Sequence, residues 1–134
     1  MAARKPKPKP KPKSKPKKAP ATAQKLRNAK LAKHTFLAEM VGDDYFPKHL
    51  VKKGQGLLQA LAARIEAEKP EGEAVYALTH ATTEAFNDLQ EEFFEADSEI
   101  ETAARESIAG DVGFILETLG YDVDLEEAIA PRDW

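Results

Sequence analysis

In this 134-residue chain, the side chains best spaced to do chemistry are His80, Glu84, Asp88 and Glu91, at intervals of four, four and three. On a helix those intervals line the four up on one polar face. A histidine among carboxylates is a donor set for a divalent cation, so His80, Glu84 and Asp88 are the candidate metal ligands of a metal-dependent enzyme of the helical-bundle type. One helix rarely completes such a site, and Glu99, Glu106 and Asp111 on a following helix are the available partners. The plainer reading of the same spacing is the solvated face of an acidic helix, with no cofactor.

Two helical metal-enzyme patterns can be tested directly. Di-iron bundles repeat Glu-x-x-His, and no Glu here has a His three positions on. The helical nucleotide pyrophosphohydrolases pair Glu-x-x-Glu with Glu-x-x-Asp; Glu92 and Glu95 match the first half, and no Glu-x-x-Asp follows. His49 has no sequence-evident partner as a general base and reads as a surface residue near a helix start. Arg105 is expected to pair with Glu101 one turn earlier. The serines at 14, 98 and 107 lie in no nucleophile elbow. The absence of cysteine excludes thiol chemistry, disulfides and Cys-ligated metals. No catalytic residue is assigned.

Hydrophobic periodicity supplies the elements that would carry these side chains. A basic helix is expected over 23–32 and a short helix over 35–41, ended by Gly42. Asp43-Asp44-Tyr45-Phe46-Pro47 reads as a turn, with Pro47 in the first turn of a helix over 47–68. That helix turns Leu50, Gly54, Leu57, Leu58, Leu61 and Ile65 inward, and Gly54 on the stripe should admit a neighbour closely. After Pro70 and Gly72, a helix over 73–95 buries Val75, Leu78, Thr79, Thr82, Phe86, Leu89 and Phe93. Ser98 with Glu101 forms a capping-box pattern for a helix over 99–119, with Ile100, Ala104, Ile108, Val112, Ile115 and Leu119 inward and Gly120 at its end. Asp124 with Glu127 repeats the pattern for a short helix over 125–130, and Trp134 is expected to fold back onto the bundle. The fold class is all-α: a compact bundle of three long helices with short flanking ones, after a disordered arm.

Charge divides the chain more sharply than hydropathy does. Residues 1–34 carry 13 Lys and Arg and no acid, so residues 35–134 carry the other 7 (20 − 13) against all 23 Asp and Glu. The division predicts a basic arm over 1–34 and an acidic domain over 35–134 that should stay folded when the arm is removed. Lys5, Lys7, Lys9, Lys11, Lys13, Lys15, Lys17 and Lys18 belong to a tract in which lysine alternates with proline. That favours polyproline II, with alternate lysines roughly 6 Å apart. Such a thread can follow any polyanion without reading its sequence, and it has no aromatic ring to stack on a base. The plainer reading is a solubilising low-complexity extension that binds nothing specifically, and an anionic membrane surface and the acidic body itself are the other counterparts. No apolar run is long enough to span a bilayer and no export signal is recognisable, so the expectation is a cytoplasmic protein, drawn to the nucleoid where the arm engages DNA.

The strings Phe36-Leu37-Ala38-Glu39-Met40, Asp43-Asp44-Tyr45-Phe46-Pro47, His49-Leu50-Val51, Ala77-Leu78-Thr79-His80-Ala81-Thr82, Phe86-Asn87-Asp88-Leu89, Ser98 to Glu106 and Pro131-Arg132-Asp133-Trp134 carry a resemblance. Together they resemble a family of small bacterial proteins catalogued only as a domain of unknown function, over residues 35–134. The resemblance implies no activity, substrate or catalytic residue, and the Lys-Pro arm lies outside it as a local addition. The reading is a non-enzymatic macromolecule-binding module, with nucleic acid as partner of the arm and a protein as partner of the acidic body. The metal-dependent enzyme is the alternative. The oligomeric state is not encoded in any motif.

Overall fold

The computed structural model describes residues 26–134, so the arm lysines from Lys5 to Lys18 and the start of the basic helix expected at 23 lie outside the described residues. The described chain is helical, with no strand among its residues: α1 (Ala29–Lys33), α2 (Ala38–Val41), α3 (Lys48–Glu68), a 3₁₀ turn (Gly72–Val75), α4 (Tyr76–Glu95), α5 (Thr102–Thr118) and α6 (Leu125–Ala128). No helix among the described residues is long and apolar enough to cross a membrane.

Helices α3 and α4 form the central hairpin, joined by the short segment 69–75. Their contact depends on Gly54: a Cβ there would stand 2.8 Å from Leu37 Cδ1 and 3.1 Å from Phe86 Cε1. The glycine costs helix propensity. In return it lets a leucine and a phenylalanine, each almost fully buried, close over the α3 backbone. Helix α5 lies against α1, α2, α3 and α6 and contributes Ala104, Ile108, Val112 and Ile115 to the core.

The termini explain where each element stops. Asn28 Oδ1 accepts from the backbone N–H of Lys30 at 2.9 Å and of Leu31 at 3.2 Å, which caps α1. Helix α5 ends in Leu119, with Gly120 at φ 88°. Gly120 N donates to Glu117 O and Tyr121 N to Leu116 O, the paired bonds of a Schellman turn. Helix α4 ends the same way on Asp97 at φ 60°, with Asp97 N on Phe94 O and Ser98 N on Phe93 O. That geometry overturns the capping box expected at Ser98. The Ser98 hydroxyl donates to Tyr45 O at 3.1 Å, tying the end of α4 to the turn before α3, and α5 begins at Thr102 with no side-chain cap. Asp124 does cap α6, accepting from Glu126 N at 3.0 Å.

Three other expectations shift. Thr83 is buried where Thr82 was expected, and Thr82 is half-buried. The inner hydroxyls find backbone acceptors on their own helix. Thr83 Oγ1 donates to Thr79 O at 2.8 Å and Thr79 Oγ1 to Tyr76 O at 3.2 Å. Arg105 makes no ion pair with Glu101, and its Nε is buried without a hydrogen-bond partner. The packed body also reaches upstream of residue 35: Leu31 is 1% exposed, and the N–H groups of Arg27 and Asn28 donate to the Glu66 carboxylate of α3 at 2.9 and 2.8 Å.

Candidate functional site

The structure does not assemble His80, Glu84 and Asp88 into a cation site. Among the described residues no three His, Asp or Glu side chains converge as ligands would. His80 Nε2 lies 2.7 Å from the carbonyl oxygen of Glu127. A carbonyl can only accept, so the ring proton sits on Nε2 and the imidazole is a structural donor. Its ring stacks on Tyr76 at 5.9 Å between centroids. Glu84 is exposed to solvent, and Asp88 lies on the α3 side of α4, lining a groove.

The polar positions of α4 hold the chain's own last residues instead. Asp124 N donates to Tyr76 Oη at 3.0 Å, Asn87 Nδ2 donates to Pro131 O at 3.0 Å, and Asn87 Oδ1 accepts from Asp133 N at 2.7 Å. Trp134 then lies on Phe86 edge to face, 6.3 Å between centroids, a favoured geometry for aromatic pairs. The Arg132 guanidinium covers the Trp134 ring, adding a cation–π contact. The indole Nε1 is buried without a partner. Residues 124–134 are thus a strap along α4, and the terminal Trp folds back as its apolar ring predicts. Tyr121, just before the strap, donates its hydroxyl to Pro70 O at 2.6 Å. Burial pushes its phenol pKa above the ordinary value.

A second polar constellation escapes the sequence reading. The Asp111 carboxylate, on the inner face of α5, accepts from His34 Nε2 at 2.8 Å and from the Leu37 N–H at 2.7 Å. Leu37 stands at φ 56°, so Asp111 pins a strained backbone turn. His34 lies between Phe114, stacked at 4.4 Å, and Phe36, edge-on at 5.0 Å. The only trace of this in sequence is one acid in an otherwise apolar position of α5. Its geometry makes it a lock on the α1–α2 junction.

Among the described residues, one open surface that gathers like charges is the first half of α3. Pro47 precedes it, Lys48 and His49 occupy its first turn, and Lys52 and Lys53 follow one turn on, giving a cationic ridge on a body that is otherwise acidic. A groove of about 490 Å³ flanks the ridge on the α2 side, lined by the apolar Val41 and Val51 and by Lys48, His49 and Lys52. Val41 is 42% exposed, so the groove presents an apolar side chain to water beside its cations. On the α4 side a second groove of about 550 Å³ shares His49 and Lys52 and is bridged by Lys53, whose ammonium donates to Glu92 at 2.6 Å. Lys48 reaches Asp44 at 3.9 Å with both side chains in solvent, a contact too exposed to neutralise the ridge. His49, expected as a plain surface histidine, is exposed and sits between the two grooves. Sequence reasoning misses the ridge because its lysines look like an ordinary solvated face.

Compared with known proteins, residues 30–134 match the model of a family described as a family of unknown function (DUF5713). Neither the curated proteins nor the solved structures give a match.

Proposed function

Since the chain belongs to the DUF5713 family from residue 30 to residue 134, with no activity carried over by that membership, we propose from its charges and surfaces that it is a non-enzymatic macromolecule-binding helical module. The basic arm is a sequence-indifferent tether to nucleic acid, and the acidic body presents a docking face to a protein. The observation that carries this reading is the segregation of charge: 13 Lys and Arg without an acid in residues 1–34, and 23 acids in the rest. A polyanion meets the arm favourably and the net negative charge of the body unfavourably, which supports the arm as the half that binds it. Arg27 and Asn28, at the start of the described residues, attach beside Glu66, near the far end of α3 from the cationic ridge. The metal-dependent alternative gains no support from α4, where His80 and Asn87 hold the strap.

The test is binding of the full chain to a DNA duplex across a salt series, beside a variant in which the eight arm lysines from Lys5 to Lys18 are glutamine. With every one of those lysines on a phosphate, the slope of log affinity against log salt is about −7. The expected outcome is a steep slope for the natural chain and loss of binding in the variant. Equal binding by both would overturn the reading.

A further inference from the structure

We propose that the cationic ridge of α3, with the groove on its α2 side, docks an acidic amphipathic segment of a protein partner. This rests on the reading of the body as a docking module and names the chemistry of what it takes. The α2-side groove sets the exposed Val41 beside Lys48, His49 and Lys52, with the buried Val51 beneath. Such a surface asks for an occupant with an apolar stripe flanked by carboxylates. The second groove shares His49 and Lys52, but its α4 wall carries Asp88 and Glu92, so the acidic segment seats on the α2 side of the ridge. Both grooves are open to solvent, whereas a site for a small molecule encloses most of its ligand. A helix or extended segment laid across the ridge covers such a face.

Charge decides among the candidate occupants. The chain's own arm carries the same sign as the ridge and is repelled from it. Its Arg27 and Asn28 also attach beside Glu66. Along the helix axis that is about 21 Å from Lys52 at 1.5 Å of rise per residue, on the order of four turns. Nucleic acid has the right sign and no apolar stripe, so it would leave Val41 facing water. An acidic amphipathic segment satisfies both features, and it binds while the arm stays free for its polyanion.

The experiment uses the full chain with the eight arm lysines replaced by glutamine, so that the arm does not collect acidic peptide. The probe is a labelled synthetic helix with Leu at positions i, i+3, i+4 and i+7 and Glu elsewhere, read by fluorescence anisotropy. Its control carries Lys in place of Glu. Saturable binding of the Glu peptide and none of the Lys peptide is expected. K52E and Val41→Asp, both at exposed positions, should each weaken binding about tenfold or more, the loss typical of a central interface residue. K69E, beyond the far end of α3, should leave it unchanged. Binding insensitive to K52E and Val41→Asp, or no saturable binding at all, overturns the proposal. So does a loss of DNA affinity in K52E of the natural chain, which would make the ridge a phosphate contact. The arm reading stands or falls separately on its own salt series.

Discussion

Two single residues hold more of the architecture than their types suggest. At Gly54 a methyl group would gain about 1 kcal/mol of helix propensity. It would also collide with Leu37 and Phe86, an overpacking that costs about 1–3 kcal/mol. Gly54→Ala is therefore expected to destabilise the protein in urea unfolding. At Gly56, two positions on, nothing lies within 4 Å of an added Cβ, so Gly56→Ala should stabilise by up to about 1 kcal/mol. A matched gain at both sites would show that α3 is not in close contact at Gly54. At Asp111 the carboxylate serves two donors, one of them a backbone N–H in a strained turn. Asp111→Ala leaves that buried N–H unpaired and is expected to cost about 2–3 kcal/mol. His34→Ala removes a partner that water can partly replace, so it should cost less in the same assay. Gly54 is legible in the sequence because a glycine interrupting an apolar stripe has few other uses. Asp111 is not, because its partners lie 74 and 77 residues away along the chain.

At the scale of elements, the periodic apolar stripes of α3, α4 and α5 are readable because each is long and its core face repeats at helical spacing. Caps that depend on the helix's own neighbours, Gly120 and Asp124, behave as local rules require. Failures come where a distant group competes with the local one. Ser98 has the spacing of a capping box, yet its N–H is taken by Phe93 O in the turn that ends α4, and its hydroxyl is tied to Tyr45 O. His80 has the spacing of a ligand, yet the strap claims its ring. Glu84, Asp88 and Glu91 stay exposed, as the plainer reading of the spacing has them, and only His80 departs from it. A backbone lying alongside a helix leaves no mark in that helix's sequence. Asn87, which bonds both Pro131 O and Asp133 N, tests this account. Each bond contributes about 0.5–1.5 kcal/mol net. Asn87→Ala is expected to loosen the strap before the bundle unfolds, and Trp134 is the chain's one tryptophan. Its emission should move to the red and become more quenchable while the helical circular dichroism is retained. An unchanged Trp134 spectrum would mean that Phe86 and Arg132 hold the strap without Asn87.

For the whole molecule, charge and packing divide the chain at different places. Charge draws the boundary after His34, but the packed body begins earlier, because Leu31 enters the core, Glu66 takes the N–H groups of Arg27 and Asn28, and His34 reaches Asp111. Charge composition cannot show this: Lys30 and Lys33 flank Leu31 and make α1 look like more of the arm. Two truncations separate the divisions. Removing residues 1–25 deletes charge and none of the contacts among the described residues. The melting temperature should then stay within about 2 °C of the full chain at moderate salt, where the arm's attraction to the acidic body is screened. Removing residues 1–34 takes away Leu31, worth about 1.5–3 kcal/mol of burial, and opens the space it filled against the rest of the core. The remainder should keep its three long helices, whose apolar stripes are intact, but melt roughly 10 °C lower, given about 4–8 °C per kcal/mol for a domain of this size. Equal melting temperatures for the two truncations would restore the boundary drawn from charge. A drop already present in the first would show that the arm packs on the body as well as leaving it.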